Sequence, residues 1–212
     1  MENGKKIVDL GGVSVSISRG NAKMGAIPSV SLPPVVTCRP GAPCVRDCYA
    51  CKLCRIRETV RTSYDRNYQI LRENPRAYWA AVRAAVALSS FFRFHVSGDI
   101  PDAAYFAEMV RTAEEFPHCQ MLAFTKQFEI VNAAVAAGVR IPENLHVIFS
   151  VWRGLDCVNP YGLPTAHVIE RDGSTTAPEG ATVCPGNCAD CARTGCGCWT
   201  LKNGQAVAFH KH

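Results

Sequence analysis

The chain opens its regular patterning with strict alternation: Val13-Ser14-Val15-Ser16-Ile17-Ser18 places apolar residues at every second position and predicts a strand or hairpin arm. A Pro/Gly-rich loop follows from about Gly25 to Pro43. The period then changes. Val60, Tyr64, Tyr68 and Leu71 recur at helical spacing, and Asn74-Pro75 reads as an N-cap with proline at the first helical position. Tyr78, Val82, Ala85 and Val86 form the apolar face of that second helix. From there strand and helix alternate. Phe91 to Val96 is a strand running into Ser97-Gly98-Asp99, and Phe106, Met109, Val110 and Ala113 mark the helix after it. Met121 to Thr125 is the next strand, ending in Lys126. Phe128, Val131 and Val135 mark a helix closed by Gly138, and Leu145 to Val151 is a third strand. Such alternation predicts an α/β fold: a small open or partial (β/α) barrel-like sheet with helices packed on it, three core units being too few for a closed barrel. Residues 172–204 are rich in glycine, cysteine and small side chains and read as irregular. Ala206-Val207-Ala208-Phe209 reads as an edge strand.

Composition narrows the class. Of 212 residues, 48% are apolar and 19% charged, which suits one globular domain spanning 1–212. No apolar stretch approaches the roughly 20 residues of a membrane span, so no membrane association is expected. The N-terminus carries a basic pair, Lys5-Lys6, without an apolar signal core, which predicts retention in a reducing cytoplasm. The net charge of +5 permits an anionic partner without requiring one.

The reducing compartment changes how the twelve cysteines are read, because disulfides are rare there and metal is the first expectation. Five cysteines, Cys38, Cys44, Cys48, Cys51 and Cys54, fall in the loop 38–54. Another five, Cys184, Cys188, Cys191, Cys196 and Cys198, fall in the loop 184–198. Both groups contain C-x3-C-x2-C. Thiolates two or three residues apart on a tight loop can cap several corners of one cubane, with a further ligand from a neighbouring segment. The expected ligands are Cys38, Cys44, Cys48 and Cys51 for one [4Fe-4S] cluster and Cys184, Cys188, Cys191 and Cys198 for a second, with Cys54 and Cys196 in reserve. Zinc is the competing metal, through the knuckles Cys48/Cys51 and Cys188/Cys191, but ten clustered cysteines exceed one tetrahedral site. Cys119 and Cys157 stand alone and read as packing residues.

Cys44-x3-Cys48-x2-Cys51 resembles the three-cysteine signature of radical S-adenosylmethionine enzymes, and Ser97-Gly98-Asp99 resembles the turn that holds the amino group of that cofactor. The resemblance implies S-adenosylmethionine as a second cofactor, bound near Ser97, Gly98, Asp99 and Lys126. The sequence departs from that signature in carrying Ala50, not an aromatic residue, before the third cysteine. A closer resemblance covers most of the chain: Cys38-Arg39-Pro40-Gly41, Cys44, Cys48-Tyr49-Ala50, Phe94-His95-Val96-Ser97-Gly98-Asp99, Phe124-Thr125-Lys126, Cys184-Pro185-Gly186-Asn187-Cys188 and Cys198-Trp199 resemble, in order, the phage- and plasmid-borne gene product 88 family. That resemblance implies a cysteine-ligated metal protein, cytoplasmic in the host cell, and no particular reaction. Cys51, Cys54 and Cys196 look like additions to its pattern.

The remaining polar residues have plainer readings. Asp99 is expected to cap the helix beyond Pro101, unless it binds a ligand. Lys126 at a strand end is either solvated or an anion ligand. His95 reads as a satisfied interior histidine, and His210 and His212 as exposed. The basic stretch from Lys52 to Arg76 is interrupted by Glu58, Asp65 and Glu73 and reads as a solvated helix face. The leading expectation is electron transfer or small-molecule redox chemistry, with a redox partner protein or a small-molecule substrate. The alternatives are a radical enzyme and a zinc-stabilised module for nucleic acid.

Overall fold

The computed structural model describes residues 5–10 and 13–211. In chain order the elements are β1 (Lys5–Leu10), β2 (Val13–Ser18), β3 (Ser29–Val30), α1 (Tyr49–Ile56), α2 (Glu58–Glu73), α3 (Pro75–Ala87), β4 (Phe91–Phe94), α4 (Ala103–Glu115), β5 (Gln120–Thr125), α5 (Phe128–Ala136), β6 (Leu145–Ser150), β7 (Thr165–Ile169), β8 (Thr182–Val183), α6 (Cys188–Thr194) and β9 (Ala206–His210), with short 3-10 turns at Pro43–Asp47 and Gly197–Trp199. The nine strands form one open sheet in the order β1-β2-β3-β4-β5-β6-β7-β9-β8. β1, β2 and β3 pair antiparallel; every pair from β3 onward is parallel. The carboxyl ends of eight strands, all but β2, therefore point to one edge, where open α/β sheets bind their ligands.

The sheet is covered on both faces. On one, α3, α4 and α5 bury Phe92, Phe94, Met121, Ala123, Val147 and Phe149 together with Tyr78, Tyr105, Phe106 and Phe128. A fully buried large side chain contributes about 1.5–3 kcal/mol, so this face supplies most of the hydrophobic stabilisation. The other face buries Leu122, Ile148, Ala166 and Val207 under Cys191, Ala192 and Trp199, so the second cysteine group is itself the cover of that face. The central strands are thus buried on both sides, and their sequences read as continuous apolar runs. Asn67 of α2, fully buried, accepts from Ser16 N at 2.8 Å and donates to Ser16 O and Ser31 O, which fastens α2 to β2 and to the segment after β3.

The expected strands, helices and N-cap at Asn74 are present; Asn74 accepts from Ala77 N at 3.1 Å. Several details differ. Asp99 does not cap α4: Asp102 does, accepting from Tyr105 N at 2.8 Å, because it directly precedes the first helical turn. β4 stops at Phe94, since His95 adopts φ 57 and leaves the extended region. The strand at 206–210 is not an edge strand, for β8 pairs outside it. The cysteine-rich tail is not wholly irregular either: it contains β8 and α6, the latter capped by Asn187 and ended by Gly195 in the left-handed region. Of the terminal readings, Met1–Gly4 and His212 lie outside the described residues, and His210 is exposed. Among the described residues no helix is long and apolar enough to cross a membrane.

Candidate metal centres and the sheet's carboxyl edge

The segment after β4 builds the edge. Gly98 adopts φ 79, and its backbone lies against Thr37 and Leu32. The next residue, Asp99, is only 5% exposed and is held by three donors. Its Oδ1 accepts from Thr125 Oγ1 at 2.6 Å and from Ile100 N at 2.8 Å, and its Oδ2 accepts from Lys126 N at 2.8 Å. Burial raises its pKa above the usual carboxylate value, and those donors offset only part of that rise. Asp99 N in turn donates to Thr37 Oγ1 at 3.1 Å, which ties the first cysteine loop to the ends of β4 and β5. The carboxylate is thus a strap between strands, closed to solvent, and not an open partner for the ammonium of a cofactor.

Lys126 stands at the end of β5. Its Nζ donates to Ser150 Oγ at 2.8 Å and lies 5.6 Å from the Trp152 ring centroid. Lys211 approaches the same ring at 5.8 Å and pairs with Asp47 at 2.9 Å and with Glu170 at 3.0 Å. Arg39 pairs with Glu129 and sits 5.6 Å from the Phe128 centroid. Ser97, Gly98, Asp99 and Lys126 are therefore gathered at one edge, as their positions at strand ends require.

The first cysteine group lies on this edge. Burial pushes the Cys38 thiol up to about 12, with further upward contributions from Asp99, Cys48 and Cys44. Burial also raises Cys44, against the Lys126 charge that lowers it. Cys48 is the N-cap residue of α1, while Cys51 and Cys54 lie one and two turns along that helix. Burial, a hydrogen bond with Cys48 and the charge of that thiol push Cys51 up to about 11. Cys54 is raised by burial and by Asp65. Cys48 acts on all four of the others, so it is the hub of the group. Tyr49 is half exposed and donates from its hydroxyl to Val96 O. Val35, which precedes this group, is held at φ 71, a strained conformation for a β-branched side chain.

The second group lies over the opposite sheet face. Cys184 follows β8, and Gly186 N donates to Cys184 Sγ at 3.4 Å. Cys188 N donates to Lys23 O at 2.9 Å, and Trp199 Nε1 donates to Cys188 O at 3.3 Å. Burial, together with a hydrogen bond to Cys196, pushes Cys191 up to about 11, and burial pushes Cys198 up to about 12. Both are raised further by the charges of Cys184 and Cys188, so the four expected ligands act on one another. Cys196 is the exposed member. Gly197 adopts φ 62, and a Cβ there would stand 3.2 Å from Cys191 Sγ. This residue leaves the thiol its space.

All twelve cysteines are free thiols. Cys119 is fully buried in the core and Cys157 packs against it, as a packing role requires. Among the described residues, no three His, Cys, Asp or Glu side chains converge closely enough to hold a single metal ion. Residues overlooked in the sequence are Thr37, Ser150, Trp152, Asp47 and Lys211, which meet only through the sheet. Arg93 did carry a signal, as the one charge in the apolar strand Phe91-Phe92-Arg93-Phe94.

No curated protein and no solved structure matches the chain. The family model described as Gene product 88 matches residues 13–153, covering the first cysteine group, Ser97-Gly98-Asp99 and Lys126 but not the second cysteine group. That match spans the greater part of the chain, which belongs to the gene product 88 family.

Proposed function

We propose that the chain is an iron–sulfur protein with one [4Fe-4S] cluster at each cysteine group, serving electron transfer or the reduction of a small molecule. The observation that carries this reading is the gathering of ten free thiols into two groups, whose members act on one another without any disulfide between them. Cys38, Cys44, Cys48 and Cys51 would hold the first cluster, and Cys184, Cys188, Cys191 and Cys198 the second. Such clusters supply one-electron chemistry when bound, at a potential set by surrounding charge and hydrogen bonds. The chain's own residues fit that task. Lys126 offsets thiolate charge at the first group, and the Gly186 amide does so at Cys184. The engaged carboxylate of Asp99 speaks against the radical S-adenosylmethionine reading, and ten clustered cysteines exceed what one tetrahedral zinc site uses.

Iron, sulfide and zinc content of anaerobically purified protein tests the proposal. About eight iron and eight sulfide per chain are expected, with a visible band that dithionite bleaches. Zinc without sulfide would replace the proposal with a zinc-stabilised module. Because Cys48 is the hub of its group, Cys48→Ala is expected to retain about half the iron. Full retention would refute that assignment. Ligation needs thiolates, whereas burial holds these thiols protonated near neutrality. Reconstitution of the metal-free chain with iron and sulfide is therefore expected to be more complete at pH 8.5 than at pH 6.5, read as iron bound per chain. Equal loading at both would contradict thiol deprotonation as the controlling step.

A further inference from the structure

The exposed apolar side chains of this protein are not scattered. Among the described residues nine large ones are exposed, and five of them, Val35, Val36, Val45, Tyr49 and Ile56, fall in the segment that carries the first cysteine group. A single exposed apolar residue needs no explanation, whereas a concentration of them marks an interaction surface. Val36, Val45, Tyr49 and Ile56 each stand within two residues of a cysteine of that group; at the second group only Val183 does so.

The fold brings these side chains to one place. Tyr49, Lys52 and Ile56 are spaced by three and four residues along α1, so they share a helix face, which is exposed while Ala50 behind it is buried. The Tyr49 hydroxyl donates to Val96 O, and three residues further on Asp99 N donates to Thr37 Oγ1. The start of α1 and the residues leading into Thr37 therefore flank the same turn. Ile56 is 75% exposed and Val36 62%, so neither is buried by the chain itself. Val35 is held at φ 71 with half its surface in water, a strained backbone that no burial offsets.

The surface is also positive. Its acidic residues are engaged, Asp47 with Lys211 and Glu58 with Arg61. Arg46, Lys52, Arg55 and Arg57 are exposed and form no ion pair among the described residues. An apolar centre with a charged rim is the anatomy of a protein–protein contact. A second copy does not suit it, because a two-fold contact would lay these cations against themselves. Nucleic acid would meet the cations but leave the aliphatic side chains without a partner. An acidic protein with an apolar patch of its own satisfies both.

We propose that the surface formed by Val36, Val45, Tyr49, Lys52, Arg55 and Ile56 docks an acidic one-electron carrier protein, which delivers its electron to the first cysteine group. The inference rests on the iron–sulfur reading. One electron leaves the reduced carrier and is taken up at the first group; no bond breaks and no other group transfers.

The probe is flavodoxin, an acidic flavin carrier, used with the full chain purified anaerobically. Calorimetric titration with oxidised flavodoxin is expected to show one-to-one binding that weakens as salt is raised. The double variant Lys52→Glu/Arg55→Glu is expected to bind about tenfold more weakly, and Ile56→Asp to lose affinity to a similar degree. Leu88→Asp replaces an equally exposed apolar residue at the end of α3 and is expected to bind like the wild type. In stopped flow, flavodoxin hydroquinone is expected to reduce the patch variants more slowly than the wild type, while dithionite, which needs no docking, bleaches all of them alike. Wild-type protein that dithionite bleaches but flavodoxin neither binds nor reduces would overturn the inference and leave the iron–sulfur reading standing. Unchanged affinity in both patch variants would do the same. Binding of a duplex oligonucleotide in place of flavodoxin, or a dimer that Ile56→Asp dissolves, would give the surface to another occupant and overturn the inference. Protein without iron and sulfide would overturn the iron–sulfur reading and this inference together.

Discussion

Replacing Gly98 by alanine is expected to destabilise the protein by about 3 kcal/mol and, on the proposed iron–sulfur reading, to remove about half of the bound iron. Two independent costs add at this position. The backbone is at φ 79, where an L side chain costs roughly 1–2 kcal/mol. A Cβ would also stand 2.6 Å from Thr37 Oγ1, 2.8 Å from Leu32 O and 2.9 Å from Leu32 Cβ. Leu32 O is backbone and cannot swing aside, so the overpacking adds about 1–3 kcal/mol. The same displacement disturbs Thr37, which accepts from Asp99 N and donates to Pro33 O one residue before Cys38. On the proposed iron–sulfur reading, the first cysteine group should therefore lose its iron while the second keeps its own. Gly138→Ala is the control: its φ is 91 but nothing lies within 4 Å of the added atom, so it bears only the backbone strain, roughly 1–2 kcal/mol. Urea unfolding and iron content of the two variants decide the matter. Equal losses of stability would show that the close approach of Leu32 and Thr37 does not matter.

Much of the sheet was legible because β5 and β6 are buried on both faces. Met121, Leu122, Ala123 and Val147, Ile148, Phe149 point alternately to the two cores, and an element buried on both sides must read as an apolar run. β7 is harder to read. Thr165-Ala166-His167-Val168-Ile169 is partly exposed and carries polar residues, and the two-residue strands β3 and β8 are too short for any period. α6 left a signal that was passed over: Asn187 and Gly195 bracket it at capping positions, but the cysteines between them drew the reading toward an irregular loop. The grouping of cysteines could be read from spacing, because ligands on one loop are neighbours along the chain. What surrounds them could not. Thr37, Arg93, Lys126, Ser150, Trp152 and Lys211 come from six separate segments, and only the order of parallel strands sets Lys126 and Lys211 over the same indole ring. Spacing carries the grouping of the cysteines, whereas their electrostatic environment is a property of the folded sheet.

Acidification is expected to weaken the fold steeply between pH 6.5 and about 3, and His95 is expected to be a main cause. The residue is 3% exposed, at φ 57, with Nε2 hydrogen-bonded to Tyr105 OH at 3.1 Å and that hydroxyl bonded to Tyr78 OH at 2.9 Å. Burial, helped by the Arg93 charge, pushes its pKa from 6.5 down to about 3. The imidazole is therefore neutral in the folded state, while the unfolded chain protonates it from pH 6.5 downward. Above pH 6.5 the two states bind the same number of protons and the contribution is fully present. Below it the unfolded state gains protons first, and stability falls until the folded pKa is passed. At pH 4.5 the loss from this one group is about 3 kcal/mol, a large share of a typical domain's 5–15. Asp99 works in the opposite sense, because its pKa is raised on folding and its protonation as pH falls favours the folded state. The observed slope is therefore the balance of the two. His95→Asn separates them, since asparagine tolerates the left-handed backbone and does not titrate. Urea unfolding at pH 7.5 and pH 4.5 should show a loss smaller by about 3 kcal/mol in His95→Asn than in the wild type. Acid loss of iron would be common to both proteins and cancels in that difference. Equal losses would mean that His95 accepts its proton within the folded core, which would require the Tyr78–Tyr105–His95 cluster to open to water well above pH 3.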